Sequence, residues 1–504
     1  MKFLRLSLCV TLLASLGACT IGPDFEKPEV SLPGEWSVPA EGGLESSPVV
    51  QSKWWQVFND PELDRLLEMA WQQNNSLEIA GLRILEAQTQ LGIATGSRYP
   101  QSQFMFGDAA RVSPADTLGG GANFTSYALG VSATWELDFW GRFKRGIESA
   151  DAVFMASIAA RDQVLILLTA QVVDTYMLIR IAERQLRIAH DNAEIQQRSY
   201  DIASVLYRNG SDSELDMQQA QTLLLSTQAT IPGIEITLKQ VKNALSTLLG
   251  MPAGKVDGLL TESGGIPSLP ENIEIGVPAD MLRRRPDVRQ AELLALAQNA
   301  RVGFAETDLY PRFSLFGSIS LASGGSGSSD FGDIFSSDAL TYSFGPSFVW
   351  PFLNYGRLVN NVRVQDSRLQ QALVAYRETV IQATREAEDA MVSLNGNREE
   401  AGILTKGVAS AQRSNDLSTL RYREGFSSYQ RVLDSQRALF GQQQRLVNAD
   451  GSAVRSLVAL YRALGGGWED QAGRPIISEQ SREQMSERTN WGDYLAPENL
   501  QNRQ

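Results

Sequence analysis

Histidine and cysteine are almost absent from this chain. Of its 504 residues one is histidine, His190, and two are cysteines, Cys9 and Cys19. A metal site built from several histidines is therefore excluded, as is a scaffold of disulfide bonds. A Ser-His-Asp hydrolase is disfavoured, because His190 would have to be its base. The chain also lacks the GxGxxG, Walker A, GxSxG and HExxH motifs. The sequence therefore predicts a protein that is not an enzyme.

Basic residues are outnumbered by acidic ones. The chain has 45 Lys and Arg against 58 Asp and Glu, which gives a formal net charge of −13 at pH 7. Such a chain is poorly suited to the phosphate backbone of nucleic acids, so no nucleic-acid partner is expected. Hydrophobic residues make up 43% of the chain, which is enough to build a core and argues against wholesale disorder.

The start of the chain is typical of an export signal. Lys2 and Arg5 precede an apolar run at 6–16, which is too short to span a membrane stably. The sequence Leu-Gly-Ala-Cys that ends at Cys19 resembles a bacterial lipobox. We therefore expect residues 1–18 to be removed and Cys19 to carry a covalent lipid such as palmitate, with no other cofactor. The alternative is an ordinary signal peptide in which Cys19 lies near the cleavage site by chance.

The residue after the lipobox bears on location. Lipoproteins with aspartate there tend to stay in the inner membrane, whereas this chain has Thr20 after Cys19. By that resemblance, the sequence predicts a bacterial outer-membrane protein that is anchored by lipid.

The chain contains an internal duplication. Matching residues recur at one offset and in one order, which chance would not produce. At an offset of 215, Trp135 pairs with Trp350, Gly141-Arg142 with Gly356-Arg357, Tyr207-Arg208 with Tyr422-Arg423, Gly210 with Gly425, and Leu249-Gly250 with Leu464-Gly465. Near the start of each repeat the offset is 211, and it links Tyr99-Pro100 with Tyr310-Pro311.

Each repeat has the same predicted order: a helix, two strands, a very long helix, a sharp turn and a return helix. The predicted helices are 60–97, 141–208 and 212–249 in the first repeat, and 278–308, 356–423 and 427–464 in the second. The predicted segments are a signal peptide at 1–18, a lipidated extended segment at 19–58, the first repeat at 59–270, the second repeat at 271–465 and a polar tail at 466–504.

Four runs of about ten residues alternate between apolar and polar side chains. They lie at 103–112, 127–137, 312–321 and 342–352, and aromatic residues stand near their ends. In the weaker first run, Phe104 and Phe106 supply the apolar side. This pattern is typical of transmembrane β-strands, although half-buried strands of a soluble sandwich share it.

The envelope signal favours the membrane interpretation of these strands. No other apolar run of eighteen residues was found, so no helix is expected to span a membrane. Because four strands cannot close a barrel, the barrel must be shared between copies. Two copies would give eight strands and three would give twelve, and the periodicity does not decide between them.

With these features, the chain resembles the TolC/OprM family of outer-membrane efflux proteins. The similarity is strongest to the NodT-like lipoprotein subgroup that serves RND pumps, and it extends from Cys19 to about Gly465. The segments that carry it are Trp54-Trp55 with Phe58 and Leu63, the run from Arg284 to Arg289, both Tyr-Pro pairs, both Gly-Arg pairs, and Tyr422 with Gly425.

The resemblance implies a mixed α+β membrane protein that assembles as a homotrimer. One twelve-stranded barrel, with four strands from each chain, would continue into a long α-helical barrel in the periplasm. The partners implied are a periplasmic adaptor and an inner-membrane RND transporter, which supplies the energy for a passive duct. The transported solute, a drug or another small molecule, is not readable from the sequence. Two alternatives remain: the exit duct of a type I protein-secretion system, or a non-channel coiled-coil envelope lipoprotein.

The resemblance also implies a gate at the periplasmic tip, where three copies of an aspartate would form a ring. Asp434 matches the family's tip aspartate in the second repeat, and Asp216 matches its counterpart in the first. Tyr422 and Arg423, with Tyr207 and Arg208, are candidates for bonds that hold neighbouring helices closed. The alternatives are solvated acidic helix ends and simple helix termination.

Three further interpretations concern structure. Ser211 and Glu214 are expected to form a capping box for the first return helix. The arginines between Arg283 and Arg289 are expected to pair with acidic residues, and His190 is expected to lie on the surface of the long helix.

Overall fold

The structure is a computed structural model, and it describes residues 20–30, 34, 36–38, 44–46, 53–113, 123–260, 265–270, 272–275, 284–323, 330–469 and 474–496. The helices of this part are α1 (Pro61–Gln73), α2 (Asn75–Gly96), α3 (Arg142–Arg208), α4 (Glu214–Gln228), α5 (Ile231–Leu248), α6 (Pro286–Glu306), α7 (Arg357–Arg423), α8 (Tyr429–Ala463) and α9 (Glu479–Arg488). Its strands are β1 (Leu44–Ser46), β2 (Ser102–Val112), β3 (Phe124–Glu136), β4 (Ile273–Ile275), β5 (Arg312–Ser323) and β6 (Leu340–Val349).

The duplication is visible in the geometry of the chain. The long helices α3 and α7 each contain 67 residues and begin 215 positions apart, at Arg142 and Arg357. Glycines with positive φ stand at the same places in both repeats. They are Gly141 (+74°) and Gly356 (+79°), Gly210 (+72°) and Gly425 (+77°), and Gly250 (+69°) and Gly465 (+74°).

Two predicted helices are interrupted. The helix expected at 60–97 is divided by Asn74, whose backbone is extended and whose side-chain oxygen accepts hydrogen bonds from the N–H groups of Ser76 and Leu77. The return helix expected at 212–249 is divided at 229–230, where Pro232 lies in the first turn of α5 and cannot donate a backbone hydrogen bond. Its counterpart α8 is continuous. The predicted helix start at 278–283 lies outside the described residues.

The strands β2, β3, β5 and β6 form one antiparallel sheet in that order. Its register brings the apolar sides of the strands together. Met105 lies opposite Val131, Val131 opposite Ile319, and Ile319 opposite Tyr342, and all four side chains are exposed in the single chain. A continuous apolar face exposed in this way is what a lipid-facing sheet requires.

The assignment of Phe104 and Phe106 to the apolar side of the sheet was wrong. Phe104 lies opposite Ser132 and Phe106 opposite Gly130, so both belong to the face rich in serine and glycine. The absence of a side chain at Gly130 makes room for the ring, because a Cβ there would lie 2.9 Å from Phe106. Met105 is the residue of this strand that joins the apolar face.

The chain forms two compact units, and each draws residues from both repeats. Unit 1 comprises the described residues within 1–29, 84–157 and 290–377 and contains the four-stranded sheet. Unit 2 comprises the described residues within 30–83, 158–289 and 378–504 and contains both hairpin turns. The two units are defined by packing and do not coincide with the two repeats. The domain boundaries predicted from the sequence therefore stay a prediction.

The core of unit 2 is built around the tryptophans near its start. Trp54 is 1% exposed and stacks on Tyr461 with ring centroids 5.2 Å apart. Trp55 meets Trp71 edge to face at 5.3 Å. Aromatic pairs of this kind stabilise a core beyond the burial of their area.

The structural role expected for the arginine cluster is confirmed at Arg285. Its guanidinium pairs with Asp287 at 2.6 Å and with Glu386 at 2.9 Å, and it donates to the Ala463 carbonyl at 2.6 Å. His190 is exposed on α3, as expected.

One helix of the described chain, α3, contains a stretch long and apolar enough to cross a membrane, contrary to the expectation from the sequence. The structure buries 61% of that stretch. A buried helix of a core passes the same test of length and composition. The apolar residues of α3 therefore serve packing within the chain.

Candidate functional site

The two hairpin turns that end α3 and α7 have the same backbone geometry. The Gly210 N–H bonds to the Tyr207 carbonyl at 2.9 Å, and the Gly425 N–H bonds to the Tyr422 carbonyl at 2.9 Å. Both glycines have the positive φ that closes a helix and that other residues adopt at a cost. The turns are therefore sharp and defined, so they hold the side chains around them in place.

The first return helix begins later than predicted, and the predicted capping box was wrong. α4 starts at Glu214, and its cap is Ser213, whose hydroxyl accepts from the Asp216 N–H at 3.2 Å. The same hydroxyl donates to the Asp216 carboxylate at 2.9 Å. Ser211 is not at the capping position, because it stands three residues before the start of α4 and its N–H still closes the preceding helix on the Leu206 carbonyl.

A hydrogen bond joins the two hairpins. The Tyr422 hydroxyl, at the end of α7, donates to Oδ2 of Asp212 in the turn of the first repeat. Tyr422 is 9% exposed, so the bond is largely shielded from water. A bond from a hydroxyl to a carboxylate is stronger than one between neutral groups. It links two segments that lie 210 residues apart in the chain.

Asp212 and Asp216 form an interacting pair of carboxyl groups. Burial opposes ionisation of Asp212, but hydrogen bonds from Tyr422, from Asp216 and from the Ser213 N–H outweigh it and lower the pKa of Asp212. Burial, together with the hydrogen bond and negative charge of Asp212, raises the pKa of Asp216. Asp212 therefore keeps the charge, while Asp216 takes up a proton more readily.

A second tyrosine, Tyr429, packs beside Tyr422 within the second hairpin. The rings of Tyr422 and Tyr429 meet edge to face at 5.3 Å, and both belong to a small apolar cluster. Burial and the nearby charge of Asp216 raise the pKa of Tyr429 to about 12. Burial and the bond to Asp212 raise the pKa of Tyr422 as well. Both hydroxyls therefore stay protonated, and Tyr422 remains a donor.

Asp434 lies on α8, in a groove of the second hairpin. It accepts a hydrogen bond from Gln430 at 2.9 Å and is exposed. The groove is about 690 Å³ in volume and is also lined by Arg421, Arg431 and the exposed ring of Phe426. Within the described residues of one chain, no hydrogen bond or ion pair joins Asp434 to Asp216.

The other candidates take no part in the contact between the hairpins. Arg208 donates to the Ser204 carbonyl of its own helix at 3.3 Å. Arg423 faces its neighbour Glu424 at 3.6 Å, and both are exposed. Tyr207 is 38% exposed, and its hydroxyl has no hydrogen-bond partner in the described part of the chain.

Sequence reasoning missed Asp212, Ser213 and Tyr429. The offset of 215 sets Asp212 against Ser427, so comparison of the repeats concealed it. A usable signal was present, since two acidic residues stand four positions apart just after a turn.

Cys19 lies outside the described residues, which begin at Thr20. The segment after it is held against unit 1. The Ile21 N–H bonds to the Trp140 carbonyl at 3.1 Å, and Arg145 donates to the carbonyls of Ile21 at 3.1 Å and Gly22 at 3.0 Å. Elsewhere in the described chain, no group of three His, Cys, Asp or Glu is arranged to hold a metal ion.

Comparison with known proteins places these features in context. The model of a family described as "Outer membrane efflux protein" matches residues 66–251 and 277–466. The chain is 30% identical over 465 residues to the cation efflux system protein CusC of Escherichia coli O6:H1. That alignment covers 92% of this chain and 98% of CusC. The chain is 31% identical over 472 residues to the pyoverdine export outer membrane protein OpmQ of Pseudomonas putida, which covers 92% and 97%.

A solved structure of the outer-membrane channel OprN matches the fold. The TM-score is 0.83 at 30% identity, and the match covers 90% of this chain and 100% of that one. The predicted fold class is confirmed. The chain is a duplicated α+β protein of the trimeric type, and it contributes strands to an outer-membrane β-barrel and long helices to a helical barrel. The outer-membrane location is confirmed by the same relatives, and the two alternative functions are not favoured.

Proposed function

Because the chain belongs to the outer membrane efflux protein family, we propose that it is the exit duct of a tripartite system, working with a periplasmic adaptor and an inner-membrane RND transporter. The observation that carries this proposal is the family match across both repeats. The duct itself performs no chemistry, and the transporter supplies the energy for export.

The sheet supports a barrel that is shared between chains, and the trimeric relatives give three as the number. In the order β2-β3-β5-β6, the outer strands β2 and β6 each pair on one side within a chain. Unpaired strand edges are not tolerated in lipid. Pairing of β6 in one chain with β2 of the next, repeated three times, closes twelve strands and leaves no edge.

We propose that the contact between the hairpins holds the periplasmic end closed. Opening the tip requires the two hairpins to separate, which breaks the bond from Tyr422 to Asp212. Three copies of Asp216 and Asp434 around an axis would give a ring of negative charge that attracts cations. Arg423, Tyr207 and Arg208 have weaker support, because none of them bridges the hairpins.

We infer that this chain does not select the solute that is exported. CusC is named for cations and OpmQ for pyoverdine, yet both are related to this chain at nearly the same identity. One type of duct therefore accompanies chemically different cargo, and we assign the choice of solute to the transporter.

We also propose that Cys19 carries the lipid. Thr20 follows it directly, and the Lys144 ammonium donates to the Thr20 hydroxyl at 3.0 Å. The contacts of Arg145 with Ile21 and Gly22 hold the chain next to the modified residue. An N-terminal segment secured in this way would set the acyl chains at a defined place beside unit 1.

Single-channel conductance in planar bilayers tests the duct and its gate. We expect a small, cation-selective conductance from the purified protein. Tyr422→Phe should enlarge it because the bond to Asp212 is lost, and Asp434→Ala should reduce cation selectivity and widen the tip. Tyr207→Phe is the matched control, because its exposed hydroxyl holds no partner.

The outcomes separate the parts of the proposal. No conductance from a well-folded oligomer would overturn the duct. Conductance that Tyr422→Phe leaves unchanged would keep the duct and remove the latch. Normal solute export in a deletion strain would overturn the role in efflux.

Labelling with radioactive palmitate tests the anchor. Cys19→Ala should abolish incorporation and release the protein from lipid attachment, whereas Cys9→Ala, within the signal, should leave labelling intact. Equal labelling of both variants would overturn the assignment of Cys19.

A further inference from the structure

The C-terminal tail packs closely against the first helices of unit 2. The Ser478 N–H and hydroxyl both donate to the Glu78 carboxylate, at 2.9 and 2.8 Å, and Ser478 caps α9. Ile477 is 5% exposed. On α2, Gly81 lies so close to the tail that a Cβ would stand 1.8 Å from the Ile476 carbonyl oxygen. This part of the tail is therefore an ordered, closely packed segment of unit 2, and it forms one wall of the pocket described next.

A pocket of about 420 Å³ lies between this wall and the helices α1 to α3. Its apolar lining includes Trp71, Leu77 and Ile477. This volume is within the range of small-molecule sites, which are mostly apolar with a few polar groups that fix the ligand.

Arg161, on α3, is the charged residue that stands out in the lining. It is 9% exposed, and its Nε is buried with no hydrogen-bond partner. Within the described part of the chain, no hydrogen bond or ion pair engages its guanidinium, which lines the pocket. A buried guanidinium without such partners is costly, and protein structures rarely retain one without a use.

The other charges of the lining already have partners. Arg474 pairs with Glu68 at 2.6 Å, Arg482 pairs with Glu479, and Glu78 receives the bonds from Ser478. The two ion pairs are neutral, and the Glu78 carboxylate keeps its negative charge while it accepts hydrogen bonds from Ser478.

Next to Arg161, one acidic residue stands among two basic ones. Asp162 interacts electrostatically with both Arg161 and Arg289, and burial raises the pKa of Asp162 to about 6. The cluster therefore carries one net positive charge when Asp162 is ionised.

We propose that this pocket binds an amphipathic monocarboxylate, whose carboxylate bonds to Arg161 and whose apolar body lies against Trp71 and Ile477. A guanidinium suits a carboxylate because its N–H groups form a planar fork. A doubly charged phosphate would bring a second negative charge into a pocket that the Glu78 carboxylate also lines. This site lies away from the hairpin turns, and its occupant is separate from the exported cargo.

Calorimetry on the full-length protein in detergent tests the site, with 2-naphthoate as the probe and 2-naphthamide as its uncharged analogue. We expect the carboxylate to bind at least about tenfold more tightly than the amide, as a buried ionic hydrogen bond implies. Arg161→Gln should remove that difference. Arg455→Gln is the matched control, because Arg455 pairs with Asp174 and does not line the pocket.

Melting temperature gives a second readout that does not depend on the probe. Arg161→Gln should leave the unliganded protein as stable as the wild type or more stable, because it removes a buried guanidinium that makes no hydrogen bond or ion pair in the described part of the chain. A marked loss of stability would overturn the proposal, since it would show that Arg161 already has a structural partner.

Equal binding of naphthoate and naphthamide by the wild-type protein would overturn the proposal even if the variant failed to fold. Tighter binding of inorganic phosphate than of naphthoate would also overturn it. Arg161→Gln should leave bilayer conductance unchanged, so failure of this site is distinguishable from failure of the duct.

Discussion

Trp135 and Trp350 donate equivalent hydrogen bonds from the two repeats. The Trp135 indole N–H bonds to the Arg98 carbonyl at 3.1 Å, and the Trp350 indole N–H bonds to the Leu309 carbonyl at 3.1 Å. The donors are 215 positions apart and the acceptors 211. Each bond ties the end of a strand to the turn that follows a helix. Duplication has therefore preserved a specific contact as well as a pattern of elements.

Removing either indole donor should weaken the equivalent strand-to-turn contact in its own repeat. Trp135→Phe and Trp350→Phe each lose one hydrogen bond, which is worth about 1 kcal/mol, together with some packing. We expect both to lower the melting temperature of the detergent-solubilised protein by similar amounts. Trp491→Phe, in the tail, is the control. A drop for only one of the pair would contradict the equivalence of the two contacts.

The architecture was accessible from the sequence because it is periodic. Alternation located all four strands of the sheet, and the offset of 215 located both long helices to within a residue or two. These features depend on many side chains acting together, so single exceptions do not conceal them. The face occupied by Phe106 was the exception, because the register sets it opposite Gly130, where the missing side chain makes room for the ring.

The candidate site was less accessible because single contacts decide it. Tyr422 and the acidic character of the tip were predicted, but the acceptor Asp212 has no equivalent in the second repeat. Its role depends on how the two hairpins pack, which no periodicity encodes. The cap at Ser213 was missed for a related reason: the turn extends through Ser211, so the return helix begins two residues later than the sequence suggested.

The tail should detach when Gly81 gains a side chain. Its Cβ would meet backbone of the tail at 1.8 Å, which no rotamer can relieve. Gly81→Ala should therefore expose the tail to proteolysis at Arg482 and Arg488, raising the cleavage rate by about tenfold or more as local opening becomes easier. Gly402→Ala, in α7, meets nothing within 4 Å and should be neutral or stabilising by up to about 1 kcal/mol. Equal cleavage of both variants would contradict the close packing of the tail.

The latch should be insensitive to pH across the physiological range. The pKa of Asp212 is lower in the folded protein than its ordinary value of 3.8, so its stabilisation is present above that value and is lost as the pH falls through the folded pKa. Tyr422, with a raised pKa, stays a donor until the solution is strongly alkaline. The ratio of Tyr422→Phe to wild-type conductance should therefore be constant from about pH 5 to pH 9.

Below the ordinary pKa of Asp212, the conductances of Tyr422→Phe and the wild-type protein should converge. Conductance titrations of both, in the same bilayer and salt, give the measurement, and Tyr207→Phe supplies the control for general effects of acid. A ratio that changes near neutral pH would assign the latch to a different titrating group.

The long helix α3 and the return helix α8 are joined by a row of polar contacts spaced seven residues apart on α3. Gln185 bonds to Asn448 at 2.7 Å, Asn192 to Gln443 at 2.6 Å, and Ser199 to Gln436 at 2.7 Å. Asn192 is 2% exposed. Buried polar contacts specify the register of packed helices at some cost in stability, and the row contains buried members at Asn192 and Gln436.

A double-mutant cycle at Asn192 and Gln443 separates register from stability. Gln443→Leu leaves the buried Asn192 amide with only its bond to the Ile188 carbonyl, and Asn192→Leu removes the partner of the half-buried Gln443 amide. Each should therefore lower the free energy of unfolding by about 1 kcal/mol. The double variant should recover much of that loss, because both polar groups are gone and the new side chains pack together. The same double variant should nevertheless alter tip conductance, because leucines allow α8 to slide along α3. Thermal melts and bilayer recordings of the four proteins would show whether the two effects separate. If the losses in free energy of unfolding of the two single variants simply added in the double variant, Asn192 and Gln443 would be energetically independent and would not set the register of α3 against α8.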